Sequence, residues 1–169
     1  MTTTTLSGHE VRKEITTPTL RFKKILAPLD FSPASENGFR YAMRCAEEFG
    51  AKLTLLHVVE PLPSVRFAAM PGVIPFPEIN FTQAEKNLRA LTAAERTKNS
   101  GRPDWTIRTG VPAHEIVEAA KEADVDLIVI ATHGYTGWKH FCIGSTAERV
   151  VRAAPCPVLV VREKEHELS

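Results

Sequence analysis

The sequence predicts an α/β domain built on an open parallel sheet. Short runs of aliphatic and β-branched residues, near 22–30, 52–59, 105–109, 126–131 and 157–162, alternate with segments of helical periodicity. Such alternation implies right-handed crossovers and a sheet covered on both sides. Residues 128–131, Ile-Val-Ile-Ala, form an unbroken apolar run, as expected of a strand buried on both faces. Beyond that run the chain passes through Gly134 to Gly144-Ser145-Thr146, a glycine followed by hydroxyls at the start of a helix. Backbone amides at a helix start are unpaired and carry partial positive charge, which makes a seat for phosphate.

Each element follows from local chemistry. The first strand, 22–30, is expected to end at Asp30, with Ser32 as N-cap and Pro33 in the first helical position. Phe39, Ala42, Met43 and Ala46 give that helix its apolar stripe, and Gly50 closes it. A second strand covers 52–59, and a second helix runs from about Glu78 to Lys98 with Phe81, Ala84, Leu88 and Leu91 inward. Residues 105–109 form a short third strand towards a sheet edge. Pro112 opens a third helix carrying Ile116, Val117, Ala120 and Ala123, and 126–131 is the fourth strand. A helix over 145–154 turns Ala147, Val150, Val151 and Ala154 inward, and 157–162 is the last strand. Ser145-Thr146-Ala147-Glu148 reads as a capping box.

Composition narrows the classes. A chain of 169 residues, 43% hydrophobic and 24% charged, suits one soluble domain, here assigned to 21–163. Residues 1–20, with seven threonines, are expected to be a loosely ordered tail, and 164–169 a frayed end. A net charge of +1 gives no general attraction for nucleic acid or an anionic membrane. No apolar run approaches the roughly 20 residues of a membrane span, and the N-terminal stretch lacks a secretory core. Cys45, Cys142 and Cys156 have no paired spacing, so a cytoplasmic location is expected. Residues 61–77 hold five prolines among apolar residues. A connection of that length is expected to be a lid, a partner surface, or an apolar loop folded over the helices.

Ligands of such sheets sit outside the carboxyl ends of the strands, where strand order reverses. Asp30, Val58 and residues 131–134 gather at that edge. Several chemistries are missing from the sequence. There is no G-x-x-x-x-G-K-S/T loop and no G-x-G-x-x-G after the first strand. There is also no G-x-S-x-G elbow. His57, His114 and His140 lack zinc-site spacing. Catalysis is not expected beyond a slow ATPase.

In order along the chain stand Lys-Lys-Ile-Leu-Ala-Pro-Leu-Asp-Phe-Ser at 23–32, Leu-Leu-His-Val-Val at 55–59, and Asp-Leu-Ile-Val-Ile-Ala-Thr-His-Gly at 126–134. Gly144-Ser145 and Pro-Cys-Pro-Val-Leu-Val-Val at 155–161 complete the set. As a set these pieces resemble the universal stress protein family. The resemblance implies a five-stranded sheet of order 3-2-1-4-5 and a homodimer paired through the last strand, Val158, Leu159, Val160 and Val161. In one branch it also implies bound ATP or a related adenine nucleotide (ADP or AMP), with Mg reached through Asp30. The nucleotide set it implies is Pro28, Asp30, Val58, Ile130, Ala131, His133, Gly134, Gly144, Ser145 and Thr146. Pro28 and Val58 match adenine-pocket positions, Asp30 the acid on ribose or metal, and Gly134 and Gly144 the glycines at the phosphates.

The branch signature is Gly, two residues, Gly, nine residues, Gly, then Ser or Thr, and here Ala131 replaces the first glycine. Its methyl matters if that backbone needs positive φ or touches the ligand, and little if the residue keeps β geometry. The function implied is a nucleotide-responsive switch in stress response, speaking to a downstream protein. The alternatives are a nucleotide-free dimer acting through protein contacts, or a slow hydrolase or adenylyl-transfer enzyme.

Overall fold

A computed structural model describes residues 20–60, 78–95, 101–132 and 144–162. The proline-rich segment 61–77, residues 96–100, residues 133–143 with His133 and Gly134, and both termini lie outside the described residues. Chain order is β1 (Lys24–Pro28), α1 (Pro33–Phe49), β2 (Lys52–Val59), α2 (Glu78–Ala94), β3 (Asp104–Thr109), α3 (Pro112–Glu122), β4 (Leu127–Ala131), α4 (Ser145–Ala153) and β5 (Val158–Val161). The strands form one parallel sheet, as their alternation with helices predicts, and its order is β3-β2-β1-β4-β5, as the family resemblance implies. Among the described residues no helix is long and apolar enough to cross a membrane.

Two-residue periodicity sorts the core into two layers. Ile25, Ala27, Leu53, Leu55, Leu127 and Val129 pack with Phe39, Ala42 and Ala46 of α1 and Leu88 of α2. The alternate residues, Leu26, Leu56, Ile128 and Ile130, pack with Ile116 and Ala120 of α3 and Ala147 and Val150 of α4. Every residue of β4 is buried, which explains its unbroken apolar run.

Local signals hold where the backbone alone decides them. Ser32 caps α1, its hydroxyl accepting from the Ser35 N–H, and Gly50 closes the helix at φ 62°. Other expectations need correction. β1 stops at Pro28, although the Leu29 N–H still reaches the Leu56 carbonyl at 2.9 Å. α2 ends at Ala94. Ala123 is the exposed C-cap of α3. Val151, expected inward, is 48% exposed because α4 turns Ala147 and Val150 to the sheet, with Ala154 partly buried beside them.

The start of β4 is tied to that of β1 through Asp126, whose Oδ2 accepts from the Lys23 and Lys24 N–H groups at 2.8 and 2.9 Å. These two bonds hold the carboxyl below its usual pKa. A depressed folded pKa stabilises above the unfolded value of about 3.9, and that share is lost as pH falls through the folded pKa. Asp126→Ala is therefore expected to cost about 1–2 kcal/mol in urea unfolding at pH 7. The gap from the unmodified protein should shrink below about pH 4; a gap that stayed constant with pH would refute this role.

Candidate functional site

The carboxyl ends of β1, β2 and β4 converge where the strand order reverses, and a cleft of about 310 Å³ opens there. Pro28, Asp30, Val58, Ile130, Ala131, Gly144, Ser145 and Thr146 all line it. Four segments of sequence are thus brought together, from residue 28 to residue 146. His133 and Gly134 lie outside the described residues. Thr132, placed at this edge from the sequence, also lines the cleft, whereas Leu29, Ser35, Leu56, Glu60, Ala147, and Pro112 and Ile116 of α3 were not foreseen. Leu56 was legible, since it stands two residues from Val58 and so on the same face of β2. The α3 residues were not, because nothing local says which helix lines the cleft.

One end of the cleft is the start of α4. Thr132, buried at the end of β4, accepts the Gly144 N–H at 2.6 Å, which fixes the helix start beside the strand. Gly144 is the N-cap and offers no side-chain cap. This overturns the expected capping box. Ser145 is the first residue of the helix, not its cap, and Glu148 bonds Arg152 at 2.9 Å instead of reaching back. The earliest intrahelical N–H is that of Glu148, to the Gly144 carbonyl, so the amides of Ser145, Thr146 and Ala147 have no intrahelical acceptor. All three residues line the cleft. Among the described lining residues there is no lysine or arginine, so any anion there is met by amides and the helix dipole.

The lining also holds an apolar set, Pro28, Leu56, Val58, Pro112 and Ile116. Asp30 follows β1, which lies between β2 and β4 in the sheet. Its Oδ1 accepts from the Ser32 N–H at 3.0 Å and the Ser32 hydroxyl at 2.6 Å, while its own N–H meets Ser35 Oγ at 3.3 Å. The residue therefore serves the α1 turn as well as lining the cleft, and its carboxylate is fixed in direction.

Ala131 is a residue of β4, registered against Val161 of β5, and is not among the positive-φ residues. Its methyl lies on the α1 side of the sheet. A Cβ built on Gly38 of α1 would stand 3.6 Å from the Ala131 Cβ and 3.4 Å from its N. Gly38 thus gives the methyl room on the face away from Ile130 and Val58. Ala131→Gly is expected to change nucleotide affinity less than about twofold while costing about 0.5–1 kcal/mol of stability. A tenfold gain in affinity by calorimetry would show that the methyl does intrude.

Burial and the Asp126 carboxylate push the Cys156 thiol above its ordinary pKa, and burial does the same for Cys45. Both favour the unreactive thiol. Among the described residues no group of three His, Cys, Asp or Glu is placed to hold a metal. Among the described residues, β5 has β4 as its only strand neighbour. Val158 and Val160 are half-buried, Val161 is buried and Leu159 is 39% exposed.

Comparison with known proteins agrees with this geometry. Residues 21–162 match the sequence model of the universal stress protein family. The chain is 35% identical to Universal stress protein MJ0531 of Methanocaldococcus jannaschii over 86% of its own length and 85% of the relative's. Universal stress protein UspA from Lactobacillus plantarum has a similar solved structure, with 29% identity and a TM-score of 0.67, covering 85% of this chain and 99% of that one. Two structures alike in fold hold ligands. One is a universal stress protein in complex with cAMP, with 23% identity, TM-score 0.57, and coverage of 84% of this chain and 98% of that one. The other, from Archaeoglobus fulgidus in complex with dAMP, has 22% identity, TM-score 0.59, and coverage of 83% and 98%. With its sheet order, its cleft and its matching segments in register, this chain belongs to the universal stress protein family.

Proposed function

We propose that the cleft binds an adenine nucleotide, ATP in the first place, and that the protein acts in stress response as a nucleotide-responsive homodimer. One observation carries this: the start of α4, with no side-chain cap, shares a cleft with apolar residues and with the Asp30 carboxylate, which Ser32 holds in direction. The parts match a nucleotide in order. Phosphates sit on the amides of Ser145 to Ala147, ribose hydroxyls reach Asp30, and the base lies among Pro28, Val58 and Ile116. A volume near 310 Å³ lies at the lower end of the range of small-molecule pockets, about 300–1,000 Å³. The extended backbone of Ala131 and the placement of its methyl support the nucleotide-binding branch over a nucleotide-free dimer. Magnesium, if used, arrives with the triphosphate and is completed by Asp30. The exposed Leu159 on an edge strand supports pairing through β5.

The test is thermal and chemical unfolding with and without Mg-ATP. At 100 times the dissociation constant, ligand should add about 2.7 kcal/mol. No stabilisation at millimolar ATP would overturn the reading. Sedimentation equilibrium at micromolar protein should give a dimer, and a monomer there would remove the β5 pairing.

A further inference from the structure

We propose that Phe31 and His57, on the face of the sheet away from the cleft, are positioning residues that hold Asp30 in place to bind ribose hydroxyls. This rests on the nucleotide reading above and assigns the device that makes one part of it work.

Phe31 has φ 63°, a left-handed conformation that glycine adopts freely and an aromatic residue does not. Strained backbone of this kind persists only where its surroundings over-determine it. Here they do. The Phe31 ring packs on the His57 ring, with centroids 4.7 Å apart and planes tilted by 40°. His57 Nδ1 lies 2.7 Å from the Leu29 carbonyl, and since a carbonyl only accepts, Nδ1 carries the proton and donates. The Leu29 N–H bonds the Leu56 carbonyl at 2.9 Å, so both polar backbone groups of Leu29 are tied to β2. Asp30 follows directly, and its Oδ1 is bonded to the N–H and hydroxyl of Ser32 just beyond Phe31.

Side chains alternate along β2, so Leu56 and Val58 line the cleft while His57 points to the other face. There His57 and Phe31 line a separate groove with Gln83, Ala84 and Asn87 of α2. His57 therefore acts on a cleft ligand only through Leu29 and Phe31. A turn needing nothing but its φ would be served by glycine. A phenylalanine stacked on a hydrogen-bonded histidine adds a clamp.

The experiment measures binding of ATP, 2′,3′-dideoxy-ATP and inorganic tripolyphosphate by calorimetry. The unmodified protein should prefer ATP to the dideoxy form by about tenfold, the worth of one hydrogen bond to a charged group. His57→Leu should bring that ratio below about twofold, with dideoxy-ATP and tripolyphosphate affinities unchanged. His57→Asn, which returns a donor near the Nδ1 position, should restore most of the ratio. If His57→Leu does not fold, Phe31→Gly is read instead, with the same collapse expected. A ratio unchanged in the variants, or ATP and dideoxy-ATP weakened in step, makes the pair mere packing and overturns the proposal. A protein that binds both nucleotides equally overturns this inference and leaves the nucleotide site standing. A protein that binds no nucleotide removes both.

Discussion

Ser145→Asp is expected to stabilise the protein and abolish nucleotide binding together. Residue 145 is the exposed first position of α4, and its hydroxyl does not cap the helix. A carboxylate there meets the positive end of the helix dipole, worth about 0.3–1 kcal/mol, so the melting temperature should rise slightly. The same carboxylate sits among the amides proposed for the phosphates. Two unit charges about 4 Å apart interact by about 4 kcal/mol at an effective dielectric constant near 20. Even after screening, affinity for ATP should fall at least about a hundredfold, equal to about 2.7 kcal/mol. Ser145→Ala, which keeps the amides, should lose no more than about tenfold. Calorimetry and a melting curve on the same samples check both signs. If Ser145→Asp binds ATP as well as the unmodified protein, the phosphates are not at α4.

Leu56→Ala should be the most damaging single truncation near the cleft. Leu56 is completely buried, pairs with Pro28 on β1 and Thr106 on β3, and belongs to the core layer under α3 and α4. Removing a buried leucine costs about 2–5 kcal/mol, depending on how far the site relaxes. Domains of this kind hold only about 5–15 kcal/mol in total, so the urea midpoint should drop sharply. Leu56 also belongs to the apolar set lining the cleft, so the truncation enlarges the space offered to the base. Saturating Mg-ATP should then recover less stability than in the unmodified protein, because the binding surface is itself depleted. An unfolding free energy within about 0.5 kcal/mol of the original would contradict the burial. Equal recovery with ATP would move the base away from Leu56. By contrast Val151→Ala, on the exposed side of α4, should change monomer stability by less than about 0.5 kcal/mol.

The difference between Leu56 and Val151 shows where sequence reasoning ran out. A strand residue faces one of two directions, and period two assigns the whole row once one member is known. A helix turns by about 100° per residue, and a stripe of Ala147, Val150, Val151 and Ala154 leaves open how wide a face its neighbours cover. α4 uses the narrower one. The capping box failed for a related reason. Ser-x-x-Glu is a pattern of one helix end taken alone, but the Gly144 N–H is claimed by Thr132 at the end of β4, which starts the helix one residue earlier. That shift frees the Ser145 hydroxyl from a structural task and strengthens the reading of the site.

The sequence by itself determined the order of strands and helices, the caps of α1, the parallel and doubly covered sheet, and half of the cleft residues. All of these follow from periodicity, turn chemistry and matching segments, which act over a few residues and leave their mark there. Only the tertiary structure decided that α3 lines the cleft with Pro112 and Ile116, that the Ala131 methyl turns to Gly38 and not into the cleft, and that the His57 ring packs on a left-handed Phe31 next to Asp30. Each of these depends on which groups from distant segments come within a few ångströms of one another. Such contacts are set by packing two layers against one sheet, and no local pattern encodes them.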